Sequence, residues 1–137
     1  MGRIVQISDA EWVVMEVLWR TQSAAAADVI AELADARDWN HRTVRTLLTR
    51  LVNKGALEAR TAGHRYIYRS VVSREKCVRI ESRSFLDKVF AGNAADLLLH
   101  FARHSKITSA QFKQLRQLLD EKESEGEATD PRKGLEK

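Results

Sequence analysis

A single cysteine, Cys77, in a chain of 137 residues excludes an internal disulfide and makes a cytoplasmic compartment the default expectation. No apolar run approaches the roughly 18–20 residues that a membrane-spanning helix needs, so membrane insertion is not expected. The segment Met1 to Ser8 lacks the long apolar core of a secretory signal. Aromatic residues make up only 7% and charged residues 31%, the balance of a helix-rich globular chain with one domain, or one compact domain plus a helical extension. Ser, His and Asp occur without a nucleophile elbow or a Gly-rich phosphate loop. Neither an enzyme nor a cofactor is indicated.

One further absence is the most informative. Between Asn40 and Lys54 there is no acidic residue. An ordinary surface helix mixes Glu with Lys and Arg and gains from pairs four residues apart. Here Val44, Leu47, Leu48 and Leu51 form a narrow apolar stripe at helical spacing. Arg42, Arg45, Thr46 and Thr49 repeat at the same spacing on the other side, with Thr43, Arg50 and Lys54 beside them. Asn40 suits the N-cap and Gly55 the C-terminal stop. A face of cations and short hydroxyls fits the DNA major groove, where Arg reads guanine edges and Thr touches a thymine methyl or a phosphate. The same pattern is also compatible with a solvated amphipathic helix, so the surrounding segments decide.

Charge is segregated along the chain. Residues 1–36 carry two basic against six acidic residues, and residues 37–70 carry eight against two. A sign change of that size within one small domain marks a basic patch suited to a phosphate-bearing partner. A membrane surface would also accept it, but the Thr-rich face offers no apolar anchor.

Ser8 and Glu11 read as a capping box that opens a helix to about Arg20, with Trp12, Val14, Met15, Leu18 and Trp19 on its apolar face. Ser23 is placed to cap a second helix over about 24–36, where Ala24 to Ala27 favour helix and Val29, Ile30 and Leu33 give a core stripe. Trp39 precedes the Asn40 cap as a hydrophobic staple would. After Gly55, residues 57–60 and 65–69 alternate with period two around Thr61, Ala62, Gly63 and His64, which predicts a β-hairpin. Three helices and a hairpin make a winged helix-turn-helix domain, with Arg60, His64 and Arg65 near the tip of the wing facing a backbone phosphate.

Beyond the wing, Ser73 opens a helix to about Ala91 with Phe85, Leu86, Val89 and Phe90 at core spacing, stopped by Gly92 and Asn93. A short helix over about 94–104 carries Leu97, Leu98 and Phe101. Thr108 and Gln111 open another, striped by Phe112, Leu115, Leu118 and Leu119. These faces have no obvious core to cover within one chain, so homodimerisation is expected, placing two reading helices on a palindrome. From Glu125 the composition reads as disordered. The expected organisation is a winged domain over 1–72, a helical dimerisation region over 73–124 and a disordered tail over 125–137; the fold class is mainly α with a small β-hairpin.

Three further features carry weaker signals. His100 and His104 lie four apart, the spacing of a metal-ligand pair, with Asp96 in the same row. Further ligands are not apparent, two surface or interface histidines are the simpler reading, and no metal site is assigned. No Glu lies between them as in the zinc-protease motif. Cys77, near Arg74, Lys76 and Arg79, has the surroundings of a thiolate sensor, although a lone Cys is more often a packing residue. Trp12, Trp19 and Trp39 would suit an effector pocket but are placed as core residues first.

Together these blocks resemble the bacterial β-lactamase and methicillin-resistance repressors, the BlaI/MecI family, whose relatives include the copper-responsive CopY repressors. The resemblance rests on Ile7 through Trp19, on Trp39 with Thr43 through Leu51 and Lys54-Gly55, on the Tyr-containing wing strand, on Phe85 through Phe90 with Gly92, and on Leu115-Arg116 with Leu118-Leu119. It implies a cytoplasmic homodimeric repressor bound to double-stranded inverted repeats over promoters, its third helix reading the half-site through Arg42, Thr43, Arg45, Thr46, Thr49 and Arg50. It also implies release when a transmembrane sensor metalloprotease, or a linked activity, triggers a cut between an Asn and a Phe of a leucine-rich helix. The matching positions are His100 and Phe101, and His stands where the family has Asn. The Cys-rich metal motifs of the copper branch are absent. Other readings are a winged-helix regulator released by a small-molecule or metal effector, and a protein-interaction module whose basic face docks an acidic partner.

Overall fold

A computed structural model describes residues 6–129. Helices α1 (Asp9–Thr21), α2 (Ala26–Arg37) and α3 (His41–Lys54) are followed by strands β2 (Leu57–Ala62) and β3 (Arg65–Ser70), and a short strand β1 (Ser23–Ala25) precedes α2. Helices α4 (Arg74–Phe90), α5 (Ala94–His104) and α6 (Ser109–Thr129) complete the chain. None of these helices is long and apolar enough to cross a membrane.

The capping box forms as the sequence predicts. The Glu11 N–H donates to Ser8 Oγ at 3.2 Å, and the Ser8 N–H donates to the Glu11 carboxylate at 2.9 Å. Val14, Met15 and Leu18 of α1, Val29 and Leu33 of α2, and the stripe Val44, Leu47, Leu48 and Leu51 of α3 close one apolar core, with Leu57 sealing it from the sheet. Removing aliphatic surface of this kind from water is the main favourable term in the fold, at about 25 cal/mol per Å2. Trp12, Trp19 and Trp39 are half-buried against this core and do not share one pocket, although Trp19 also lines an open depression with Leu18, Gln22 and residues 69–73. Trp12 and Trp19 meet edge to face with centroids 5.2 Å apart, and the Trp19 indole N–H donates to the Val72 carbonyl at 3.0 Å.

The second helix differs from expectation. Ser23 does not cap it: α2 starts at Ala26, with Ala25 in the N-cap position and no side-chain cap bond. Instead Ser23, Ala24 and Ala25 pair antiparallel with Arg69, Tyr68 and Ile67, and the sheet has three strands in the order β1-β3-β2 rather than two. The physical reason is the outer edge of β3, whose backbone groups need partners. Three short side chains can lie along that edge, and their intrinsic helix preference is overridden. The hairpin is also longer than its apolar alternation suggests. Ala62 pairs with Arg65, leaving a two-residue turn of Gly63 and His64, with Gly63 at φ 67° where a type II′ turn requires a positive φ.

The chain divides into two compact units, residues 1–92 and 93–137. The first therefore extends past residue 72 to include α4, whose Cys77 is buried in the winged domain's core. Glu16 of α1 accepts the Trp12 indole N–H at 2.9 Å and pairs with Arg74 of α4 at 3.2 Å, a second tie. In the other unit α6 opens with the expected capping box, Thr108 reciprocating with Gln111, and Asn93, expected only to help stop α4, caps α5 by accepting from the Asp96 N–H. Helix α6 runs on through Thr129, so residues 125–129 are helical and not part of a disordered tail. Propagating a formed helix costs little per residue, and the Glu-rich composition that suggests disorder is also compatible with helix. The rest of the expected tail, residues 130–137, lies outside the described residues.

Candidate nucleic-acid interface

Helix α3 is fixed at both ends. Asn40 Oδ1 accepts the Thr43 N–H at 2.9 Å, and Gly55 adopts the left-handed conformation, φ 85°, that returns its N–H to the last turn. With its apolar stripe fully buried, the opposite face is committed to the exterior: Arg42, Thr43, Arg45, Thr46, Thr49 and Arg50 are all exposed. Among the described residues, Arg42, Arg45 and Arg50 have no carboxylate partner, whereas Arg20, Arg60, Arg65, Arg69, Arg74, Arg79 and Arg83 each have one. Three unpaired guanidiniums on one helix face make a surface that gains most from an external anion.

The wing meets this face at Arg45. A shallow depression joins Arg45 to His64, Arg65 and Tyr66 of the wing and to Ala25, Ala26 and Ala27 at the start of α2. A second runs along α3 between His41, Arg42, Arg45, Thr46, Thr49 and Arg50. The expected residues His64 and Arg65 are thus gathered with α3. Arg60 lines neither depression and sits 3.8 Å from Glu58, while Arg65 is 3.8 Å from Asp28.

Lys54 departs from expectation. Its ammonium donates to Glu11 Oε1 at 2.6 Å and to the Gln6 carbonyl at 2.7 Å, so it is spent inside the domain rather than on the exposed face. The last turn of α3 rotates it toward the start of α1, where Glu11 is only 2% exposed and needs a counter-charge. Burial opposes ionisation of Glu11, but hydrogen bonds from Lys54 and Ser8 and the Lys54 charge outweigh it and hold the carboxyl below its usual range.

Three features of the surface escape the sequence reading. His41 opens the exposed face one turn before Arg45, and its i,i+4 relation to Arg45 was the available signal. Tyr66 is exposed on the wing beside Arg45. The start of α2 lacks a side-chain cap, which the nearby Ser23 conceals in the sequence. Cys77, by contrast, loses its thiolate reading: burial pushes its thiol up, against a smaller opposing effect of Lys76. Among the described residues no group of three or more His, Cys, Asp and Glu side chains could hold a metal ion.

Helix-turn-helix elements followed by a β-hairpin, with the second of those helices presenting a basic face, define a winged helix-turn-helix DNA-binding domain. The solution structure of the DNA binding domain of the repressor BlaI matches 54% of this chain and 90% of that chain at 39% identity, with a TM-score of 0.50. The penicillinase repressor family model matches residues 7–121. The penicillinase repressor of Bacillus licheniformis is 33% identical over 121 residues, covering 88% of this chain and 94% of that protein. The methicillin resistance regulatory protein MecI of Mammaliicoccus sciuri is 33% identical over 121 residues, covering 88% and 98%. The chain belongs to the penicillinase repressor family.

Proposed function

We propose that this protein represses transcription by binding, as a homodimer, an inverted repeat in double-stranded DNA. The observation that carries this reading is the exposed, acid-free face of α3, whose Arg42, Arg45 and Arg50 have no carboxylate partner among the described residues. In the complex Arg42, Thr43, Arg45 and Thr46 lie nearest the base edges. Thr49, Arg50, His64 and Arg65 contact the sugar-phosphate backbone, with Arg60 farther out, and the uncapped N–H groups at the start of α2 donate to a phosphate oxygen.

Dimerisation is supported by apolar surface with no cover within either unit. Leu98, Leu99, Phe101, Phe112, Leu118 and Leu119 are exposed and Leu97 and Leu115 only half-buried. In α4, Phe85 and Val89 are exposed, with Leu86 and Phe90 half-buried. Leu99 extends the dimerisation set beyond the positions singled out from sequence. A second copy presenting the same faces covers them most economically.

Release by a transmembrane sensor metalloprotease is the family's route, and its matching bond joins His100 and Phe101. Both residues lie in the helical body of α5. A protease takes an extended substrate, so a cut there requires α5 to open locally first.

The test is a binding titration at fixed salt with a duplex inverted repeat selected by the protein from a random pool, and with a scrambled duplex of equal composition. Repression requires preference for the repeat and two chains per duplex. Absence of binding to either duplex would favour a protein-interaction module.

A further inference from the structure

Two of the four histidines lie outside the DNA-facing surface, and both are on α5. His100 and His104 are one turn apart on an exposed helix face, with ring centroids 4.7 Å apart and planes inclined by 41°. Two imidazoles bound to one ion at about 2.1 Å per bond, at ligand–metal–ligand angles of roughly 90–109°, hold their centroids roughly 4.5–5.2 Å apart. The observed separation falls inside that interval. The inclination is far from the parallel arrangement of simply stacked rings.

We infer that His100 and His104 form a two-point chelate for a divalent metal ion of the imidazole-preferring class, such as Zn2+ or Ni2+. Residues four apart on a helix share one face, so the backbone supplies the ligand spacing without any loop having to be ordered. Phe101 abuts the His100 ring edge to face at 5.3 Å and helps fix its orientation. No third side chain of the described residues completes a metal-binding group, so the remaining positions go to water or to ligands from a second copy. His104 is the last residue of α5, and Asn93 caps its start. An ion held by this pair would staple the final turn, at the end that has no comparable side-chain cap. Its binding therefore raises the stability of α5 by mass action.

The full chain, free of any affinity tag, is titrated calorimetrically with zinc chloride and separately with nickel chloride. One ion per chain is expected, or one per two chains where a second copy completes the shell. The affinity should fall about tenfold or more in His100→Ala and in His104→Ala, and remain unchanged in His64→Ala. Both α5 positions are exposed, so these variants keep the fold, and circular dichroism checks it. A thermal melt supplies a second readout: zinc should raise the transition of the parent chain and not that of His104→Ala. Absence of binding up to about 1 mM metal, or equal affinity in parent and both α5 variants, overturns the chelate.

Discussion

The ammonium of Lys54 lies 2.6 Å from Oε1 of Glu11, tying the last turn of α3 to the first turn of α1. The same carboxylate oxygen accepts the Ser8 N–H, so one buried acid serves a helix cap and an inter-helix bridge together.

Removing the two partners should therefore have unequal effects. Lys54→Met leaves a buried carboxylate without its counter-charge and should cost about 3 kcal/mol. Glu11→Gln keeps an acceptor for Ser8 and leaves a lysine that water can reach, and should cost roughly 1–2 kcal/mol. Urea unfolding measures both. In a DNA titration the salt slope of Lys54→Met should match the parent, because this ammonium is already engaged by Glu11 and the Gln6 carbonyl. A slope reduced by about one would return Lys54 to the interface.

Acid should weaken the winged domain through the same site. Glu11 and Glu16 both have folded pKa values below the 4.5 of the free side chain. Glu16 is lowered by its hydrogen bond from Arg74, against an opposing burial effect and with help from Trp12. A depressed carboxyl contributes stability that is fully present above the unfolded value and is lost as pH falls through the folded one. The urea midpoint should hold from neutral pH to about 5 and decline below about 4.5. Glu11→Gln should show a shallower decline, and an identical one would mean that Glu11 contributes no linkage.

On DNA, Arg45→Ala and Arg65→Ala should separate two kinds of contact. Arg45→Ala should lose about 1–3 kcal/mol and relax preference at one base position in each half-site. Arg65→Ala should weaken all sequences alike and lower the salt slope by about one. Anisotropy titrations across salt and across single base-pair changes distinguish them. Equal loss on every sequence for Arg45→Ala would move it to the backbone contacts.

Leu118, 51% exposed on α6, is a sensitive probe of association. Leu118→Glu should leave the winged unit folded, shift sedimentation from dimer to monomer, and leave only half-site affinity. A chain that stays dimeric would place the interface elsewhere.

Cys77 should be slow to alkylate. Its thiol is buried and its pKa raised, so little thiolate is available at neutral pH. Iodoacetamide should react many times faster in urea than in buffer, and equal rates would show an open thiol.

Helix α3 was legible because two signals coincided: an apolar stripe with period 3.6 and an uninterrupted run without acids. The caps at Ser8, Asn40, Ser73 and Thr108 are local bonds within four residues, and local bonds can be read from spacing. Strand β1 was not legible. Its partner lies 46 residues downstream at Arg69, and Ser23 to Ala25 carry neither alternation nor branched side chains. The placement of Lys54 differs from its sequence expectation for a related reason. A helical projection assigns it to the basic side, and only the packing of α1 against α3 reveals the carboxylate that claims it. The meeting of Arg45 with His64 and Arg65 likewise depends on how the wing folds back, which no residue spacing encodes.

The sheet register sets the mechanics of the wing. Strand β3 is held on both sides from Ile67 to Arg69, but at Arg65 and Tyr66 only β2 holds it. The hairpin is a cantilever: its root is clamped to the core and its free end projects about two pairs further. Load applied at Gly63 or His64 bends the tip at Tyr66 before it reaches Tyr68, which packs on the core. The tip of the wing can therefore bend while helix α3, packed in the core, keeps its place.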